Sequence, residues 1–222
     1  MGDRRTPKAT NKATNNGSAA ATTSGVTSIC VYCGSGAGTN PAYEAAAKTL
    51  GKAMAGTGIR LVYGGGGLGL MGAVAHSVIE HGGQVTGIIP SFLSDREHML
   101  KSADELIITD DMHTRKRLMF EKSDAFVALP GGIGTLEELV EQLTWAQLGR
   151  HTKPIVVANI ANFWAPLARL FEHMRDQAFI RPGLDVRYQI VDAAEDIVPA
   201  ILRAASVAPP SPDQDRSVTR KF

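Results

Sequence analysis

The 222-residue chain lacks the marks of several protein classes. It holds two cysteines, too few for a disulfide-built scaffold, so a reducing compartment, the cytoplasm, is expected. It has no basic excess: 23 Lys and Arg against 22 Asp and Glu leave a formal charge of +1. Extended binding along a nucleic-acid backbone is therefore not expected. No apolar run approaches the roughly 18 residues that cross a bilayer, so no membrane association is expected. No G-x-S-x-G elbow is present, which argues against a serine hydrolase. The six histidines show no metal-ligand spacing. Cys30 and Cys33, three apart in a strand, point to opposite faces, so no metal or redox pair is expected.

Residues 1–25 lack both the apolar segment of a secretory signal and any aromatic residue. Such a stretch cannot bury enough surface to offset ordering, and a disordered tail is expected. Its start, Met1-Gly2-Asp3-Arg4-Arg5-Thr6, fits a myristoylation pattern only formally and reads as chance. Residues 206–222, with Pro209, Pro210 and Pro212 among mixed charges, read as a second flexible tail.

Between the tails, residues 26–205 alternate regularly. Short apolar runs at 28–33, 59–63, 84–90, 105–109, 124–130, 154–158 and 188–191 read as strands. Segments 41–56, 69–82, 112–123, 134–149, 162–178 and 193–205 read as helices. The alternation implies βαβ units. The expected fold is α/β: one doubly wound, Rossmann-like domain with a mostly parallel sheet of about seven strands.

What the chain does have is glycine, 23 residues with many in three clusters. Gly34, Gly36 and Gly38 follow the first strand. Gly64 to Gly72 follow the second, and Gly131, Gly132 and Gly134 the fifth. In an open α/β sheet, ligands bind beyond the carboxyl ends of the strands. Glycine lets backbone approach a ligand closely, and the next helix points free N–H groups and a positive dipole at it. Three such turns on one rim point to a phosphate or nucleotide. Gly67-x-Gly69-x-x-Gly72 matches the dinucleotide fingerprint, but the following strand ends Ile88-Ile89-Pro90-Ser91 without the acid that would hold a ribose. That weakens a nicotinamide reading.

The third cluster runs into Thr135-Leu136-Glu137-Glu138. Thr135 and Glu138 form a formal capping box, which expects Thr135 as the helix cap. A cap uses one glutamate, however, and two stand beside a turn suited to an anion. Arg115-Lys116-Arg117 opens another helix on the same rim, behind Asp110 and Asp111, either of which can cap it. Cations there oppose the helix dipole, so at least one is expected to meet an anion. A solvated basic turn accounts for Arg117 and also suits Lys116. Trp145 reads as packing a core or a subunit face.

Pro130-Gly131-Gly132-Ile133-Gly134-Thr135-Leu136-Glu137-Glu138 resembles the PGGxGTxxE signature of the Lonely-guy family, the cytokinin riboside 5′-monophosphate phosphoribohydrolases. The likeness covers about residues 27–204. It includes CGS at 33–35, YGGG with GLMG at 63–72, Pro-Ser then Arg96-Glu97 at 90–97, Met112-His113-x-Arg115-Lys116, and Thr144-Trp145-Ala146-Gln147-Leu148-Gly149. Gly36 and Ile133 depart from the usual serine and aromatic. Members have carried the label lysine decarboxylase, but nothing in this sequence shows a pyridoxal-binding lysine.

The resemblance implies hydrolysis of the N-glycosidic bond of a purine nucleoside 5′-monophosphate, either a cytokinin riboside 5′-monophosphate or AMP. The products are free base and ribose 5-phosphate. It implies Arg115 and Glu138 as the catalytic pair. Glu97, Lys116, Gly131, Gly132, Ile133, Gly134, Thr135, Leu136, Glu137 and Thr144 are implied to bind the nucleotide, with Gly34, Ser35, Gly65, Gly66 and Met112 as further candidates. It implies no cofactor and no metal, and a homodimer with the site near the subunit boundary. The alternative is a non-catalytic nucleotide or molybdenum-cofactor carrier sharing the PGG loop.

Overall fold

The computed structural model describes residues 25–94, 98–180 and 187–207. Seven strands form one sheet: β1 Ser28–Tyr32, β2 Arg60–Tyr63, β3 Val85–Pro90, β4 Glu105–Thr109, β5 Ala125–Ala128, β6 Ile155–Ala158 and β7 Gln189–Val191. Their spatial order is β4-β3-β2-β1-β5-β6-β7, and every pairing is parallel. The sequence implied a mostly parallel sheet; the ladder is wholly parallel. The chain winds outward in one direction through β4 and in the other from β5, so the order reverses between β1 and β5. A crevice beyond that reversal is where this architecture holds ligands.

The helices are α1 Pro41–Gly56, α2 Gly69–Glu80, α3 Ser91–Ser94, α4 Met112–Glu121, α5 Ile133–Gln147, α6 Ala165–Asp176 and α7 Ile197–Val207. β1 and β5 are buried along their whole length, which is why they read as continuous apolar runs rather than alternating ones. Alternate side chains serve two cores. Ile29, Val31, Leu61, Tyr63 and Val127 pack under α1, α2 and α7. Cys30, Tyr32, Val62, Phe126 and Ala128 pack under α4 and α5. Cys33 belongs to the first core and Cys30 to the second, on opposite faces as their spacing requires.

Several boundaries differ from the sequence reading. α3 was not anticipated. A 3₁₀ turn at Ile160–Asn162, interrupted by left-handed backbone at Ala161 and Asn162, precedes α6. Another 3₁₀ turn at Ala194–Asp196 precedes α7, which continues to Val207, two residues into the expected tail. The ranges 1–24 and 208–222, and Glu97, lie outside the described residues.

Candidate active site

The site grows from the switch point. β1 and β5 run side by side in register, Tyr32 beside Ala128, so their outgoing turns meet. The Gly34 amide donates to the Pro130 carbonyl at 3.1 Å. A Cβ on Gly131 would collide with Thr135 and stand 2.8 Å from the Gly34 nitrogen, so only glycine allows the two turns to touch.

The two glycine-rich helix starts on this rim are not equivalent. At α2, the Leu70 and Met71 amides donate to the Gly34 carbonyl at 3.1 and 3.3 Å, so that helix end is already satisfied internally. At α5, the ladder opens with Leu136 donating to Gly132 at 3.0 Å. The amides ahead of Leu136 meet no backbone carbonyl among the described residues, as expected of a helix's first turn. Gly132, Ile133 and Gly134 are solvent-exposed, so this end is open to an anion.

The capping box expected at Thr135 does not form. α5 starts three residues earlier than a Thr135 cap requires, with Gly132 as the cap residue and no side-chain cap bond. Thr135 is buried in the first turn, against Gly131. Glu138 is thereby released from capping and lies on the buried side of the helix.

Asp111 caps α4, its Oδ1 accepting from the Thr114 amide at 2.7 Å. This sets Arg115 one turn in and directed inward. Arg115 Nη1 lies 3.6 Å from Glu138 Oε1, with only 8% and 11% of the two side chains exposed. Arg115 Nε donates to the Ile88 carbonyl of β3 at 3.1 Å, and Nη1 lies 3.7 Å from Met112 Sδ. A buried charge pair of this kind is costly to break from one side only. Behind it, burial pushes the Cys30 thiol far up, and the negative charge of Glu138 adds to the effect. Cys30 therefore stays a neutral core residue.

Lys116 makes the parallel connection. Its Nζ lies 2.6 Å from Glu137 Oε1 and 3.0 Å from Glu141 Oε1. Burial pulls this lysine down, but the two carboxylates outweigh it and hold it above the ordinary lysine value. The solvated basic turn is thus corrected for Lys116 and holds for Arg117, which is exposed. Adjacent residues of α4 answer adjacent glutamates of α5, so the carboxylates flanking the open turn carry compensating charge.

The other sequence candidates divide. Gly34 meets Gly131, Met112 lies beside Arg115, and Gly132, Ile133 and Gly134 form the exposed start of α5, whereas the Ser35 carbonyl lies against Gly69. Gly65 and Gly66 instead hold a neighbouring segment: Leu100 donates to the Gly65 carbonyl at 3.1 Å, and Gly66 bridges Met99. The segment from His98 to Leu100 therefore returns against the glycine run. Thr144 is not drawn in; it is exposed, and its hydroxyl bonds Val140 on its own helix at 2.8 Å. Trp145 packs edge-on against Phe120, with Arg150 over its face. A separate cleft of about 390 Å³ opens between α1 and α2, lined by Glu44, Lys48, His76 and Glu80; neither Arg115 nor Glu138 reaches it. Among the described residues no cluster of His, Cys, Asp and Glu could hold a metal. Sequence reasoning missed Gly64, the Ile88 carbonyl and Glu141, whose roles depend on which elements become neighbours.

A wholly parallel sheet with an open helix end and a buried arginine–glutamate pair at its switch point defines a Rossmann-like α/β class. Comparison narrows it. The profile of the family described as "Possible lysine decarboxylase" matches residues 71–201. The probable cytokinin riboside 5′-monophosphate phosphoribohydrolase LOGL1 of Oryza sativa subsp. japonica is 47% identical over 165 residues, 74% of this chain and 73% of that one. LOG1 of Arabidopsis thaliana, named for the same activity, is 43% identical over 187 residues, 80% and 87% of the two chains. A phosphoribohydrolase of that name from Rhodococcoides fascians is 42% identical, covering 78% and 88%. The chain belongs to this family, the cytokinin riboside 5′-monophosphate phosphoribohydrolases.

Among solved structures, the molybdenum cofactor carrier protein of Chlamydomonas reinhardtii matches with a TM-score of 0.61 at 22% identity, covering 80% of this chain and 96% of that one. The molybdenum cofactor binding protein of Rippkaea orientalis matches with a TM-score of 0.60 at 23% identity, covering 78% and 93%. At that identity they share the fold.

Proposed function

We propose that the protein hydrolyses the N-glycosidic bond of a purine nucleoside 5′-monophosphate, with a cytokinin riboside 5′-monophosphate or AMP as substrate. Water adds at C1′, the bond from C1′ to the base nitrogen breaks, and the base leaves with that electron pair and gains a proton. Free base and ribose 5-phosphate result. The observation that carries this reading is the buried Arg115–Glu138 pair next to the open end of α5.

The chemistry follows from the arrangement. The 5′-phosphate is held by the exposed first-turn amides of α5 and the positive end of its dipole. Breaking the bond develops positive charge at C1′, and a fixed carboxylate stabilises it. Glu138 supplies that carboxylate and orients the water. Arg115 positions the nucleotide and favours departure of the base. Glu97, Lys116 and Glu137 contribute further nucleotide contacts.

The working unit is a homodimer. Ile133, Glu137, Val140, Thr144 and Leu148 form an exposed stripe along α5. Thr144 stands about 9 Å along the axis from Glu138 at the ordinary helical rise. A Thr144 contact to nucleotide is best met across a subunit boundary. The cytoplasm is the expected compartment; among the described residues no helix is long and apolar enough to cross a membrane.

The test is incubation of the purified protein with isopentenyladenosine 5′-monophosphate and with AMP, followed by chromatography of free base. Release from at least one is expected, and their ratio identifies the substrate. Nucleotide binding without base release from either favours the carrier alternative and overturns the reading.

A further inference from the structure

We propose that Gly64 is a positioning residue whose missing side chain forms the seat of the Arg115 guanidinium; the proposal rests on the reading of Arg115 as catalytic. Gly64 is buried directly after β2. A Cβ built on it would overlap Arg115 Nη2 and stand 3.5 Å from Arg115 Cζ and 3.0 Å from Met71 Sδ. Neighbouring glycines answer to other needs. Gly65 has a φ of +81°, Gly69 has a φ of +57° and faces the Ser35 carbonyl, and Gly67 faces the His98 carbonyl. Gly64 has no left-handed backbone, and the atoms crowding it are the ends of two side chains. Its requirement for glycine thus comes from the arginine.

The guanidinium is held from three elements. The bare backbone of Gly64 lies against Nη2, the Ile88 carbonyl accepts from Nε, and Glu138 faces Nη1. A methyl group at Gly64 pushes the planar group away, and the Ile88 and Glu138 contacts cannot then both survive. Because flexible side-chain ends are what must yield, the fold accommodates the methyl while the catalytic geometry does not. Misplacing a reacting group by about 1 Å costs on the order of 10²-fold in rate.

The test is a cycle of Gly64→Ala, Arg115→Ala and the double variant, measuring base release and melting temperature. Gly64→Ala is expected to lose activity on the order of 10²-fold. The double variant is expected to be no slower than Arg115→Ala, because the methyl acts only through the guanidinium. Full activity in Gly64→Ala, or multiplied losses in the double variant, overturns the proposal. If Gly64→Ala fails to fold with Arg115 present, folding in the Arg115→Ala background supports the seat, and failure in both backgrounds overturns it. Undiminished base release by Arg115→Ala alone is a different failure. It removes Arg115 from catalysis, and the seat is then judged by melting temperature alone: a loss that vanishes in the double variant supports it, and any other pattern overturns it.

Discussion

Lys116 and His151 show how single side chains hold the site and its support. Lys116 ties two glutamates of α5 to α4, so Lys116→Ala leaves Glu137 and the half-buried Glu141 without their cation. The expected cost is about 1 kcal/mol, since Glu137 is half exposed, together with a raised KM for nucleotide. Denaturant unfolding and steady-state kinetics measure the two effects, and an unchanged KM contradicts the nucleotide role. His151 is buried beyond the far end of α5. The Lys153 amide donates to its Nδ1 at 3.1 Å, so Nε2 carries the proton towards the Gln142 carbonyl at 3.2 Å. Burial lowers its pKa, against the opposing pull of that carbonyl and with help from Lys153 and Arg150. The unfolded chain therefore takes up a proton below about pH 6.5 while the native state stays neutral. The stabilisation is complete above that pH and is lost as pH falls towards the lowered native value. In urea unfolding, the stability gap between wild type and His151→Gln is expected to narrow on acidification, by at most about 1.4 kcal/mol per pH unit. A constant gap contradicts the assignment.

At the scale of elements, α5 makes the clearest contrast. Gly131 has no space for a methyl, whereas Gly132 meets nothing within 4 Å and has no left-handed backbone. Gly131→Ala is expected to destabilise by about 2 kcal/mol or more through displaced backbone. Gly132→Ala is expected to fold within about 1 kcal/mol of wild type and to raise KM. Equal melting losses in the two variants count against the packing of the turns. The alternation of strands and helices was legible because periodicity is local, and most ends fell within a few residues. The capping box was misleading because a P-G-G entry starts the helix on bare backbone, with no side-chain cap to read. Arg115 was legible as a cation where the dipole disfavours one. Its seat was not, since Gly64 follows β2 while Ile88 and Glu138 come from β3 and α5, and they meet only in the folded sheet order.

For the whole molecule, the exposed stripe on α5 has consequences for assembly. Leu148 is 76% exposed and Val140 38%, beside Thr144. Leu148→Glu is expected to shift light scattering from dimer towards monomer and to lower base release with it. A wild-type monomer at micromolar concentration contradicts the assembly. We propose that a fold shared with carrier proteins is made hydrolytic by a carboxylate facing C1′. Glu138→Gln keeps the size of that side chain and removes its charge. Leaving Arg115 buried without it costs on the order of 2 kcal/mol, so the rate must be measured on protein shown to be folded. The decisive measurement is single-turnover release of base from isopentenyladenosine 5′-monophosphate and AMP by wild type and Glu138→Gln. Release by wild type and a fall of about 10²-fold or more in the folded variant are expected. Undiminished release by Glu138→Gln would contradict it.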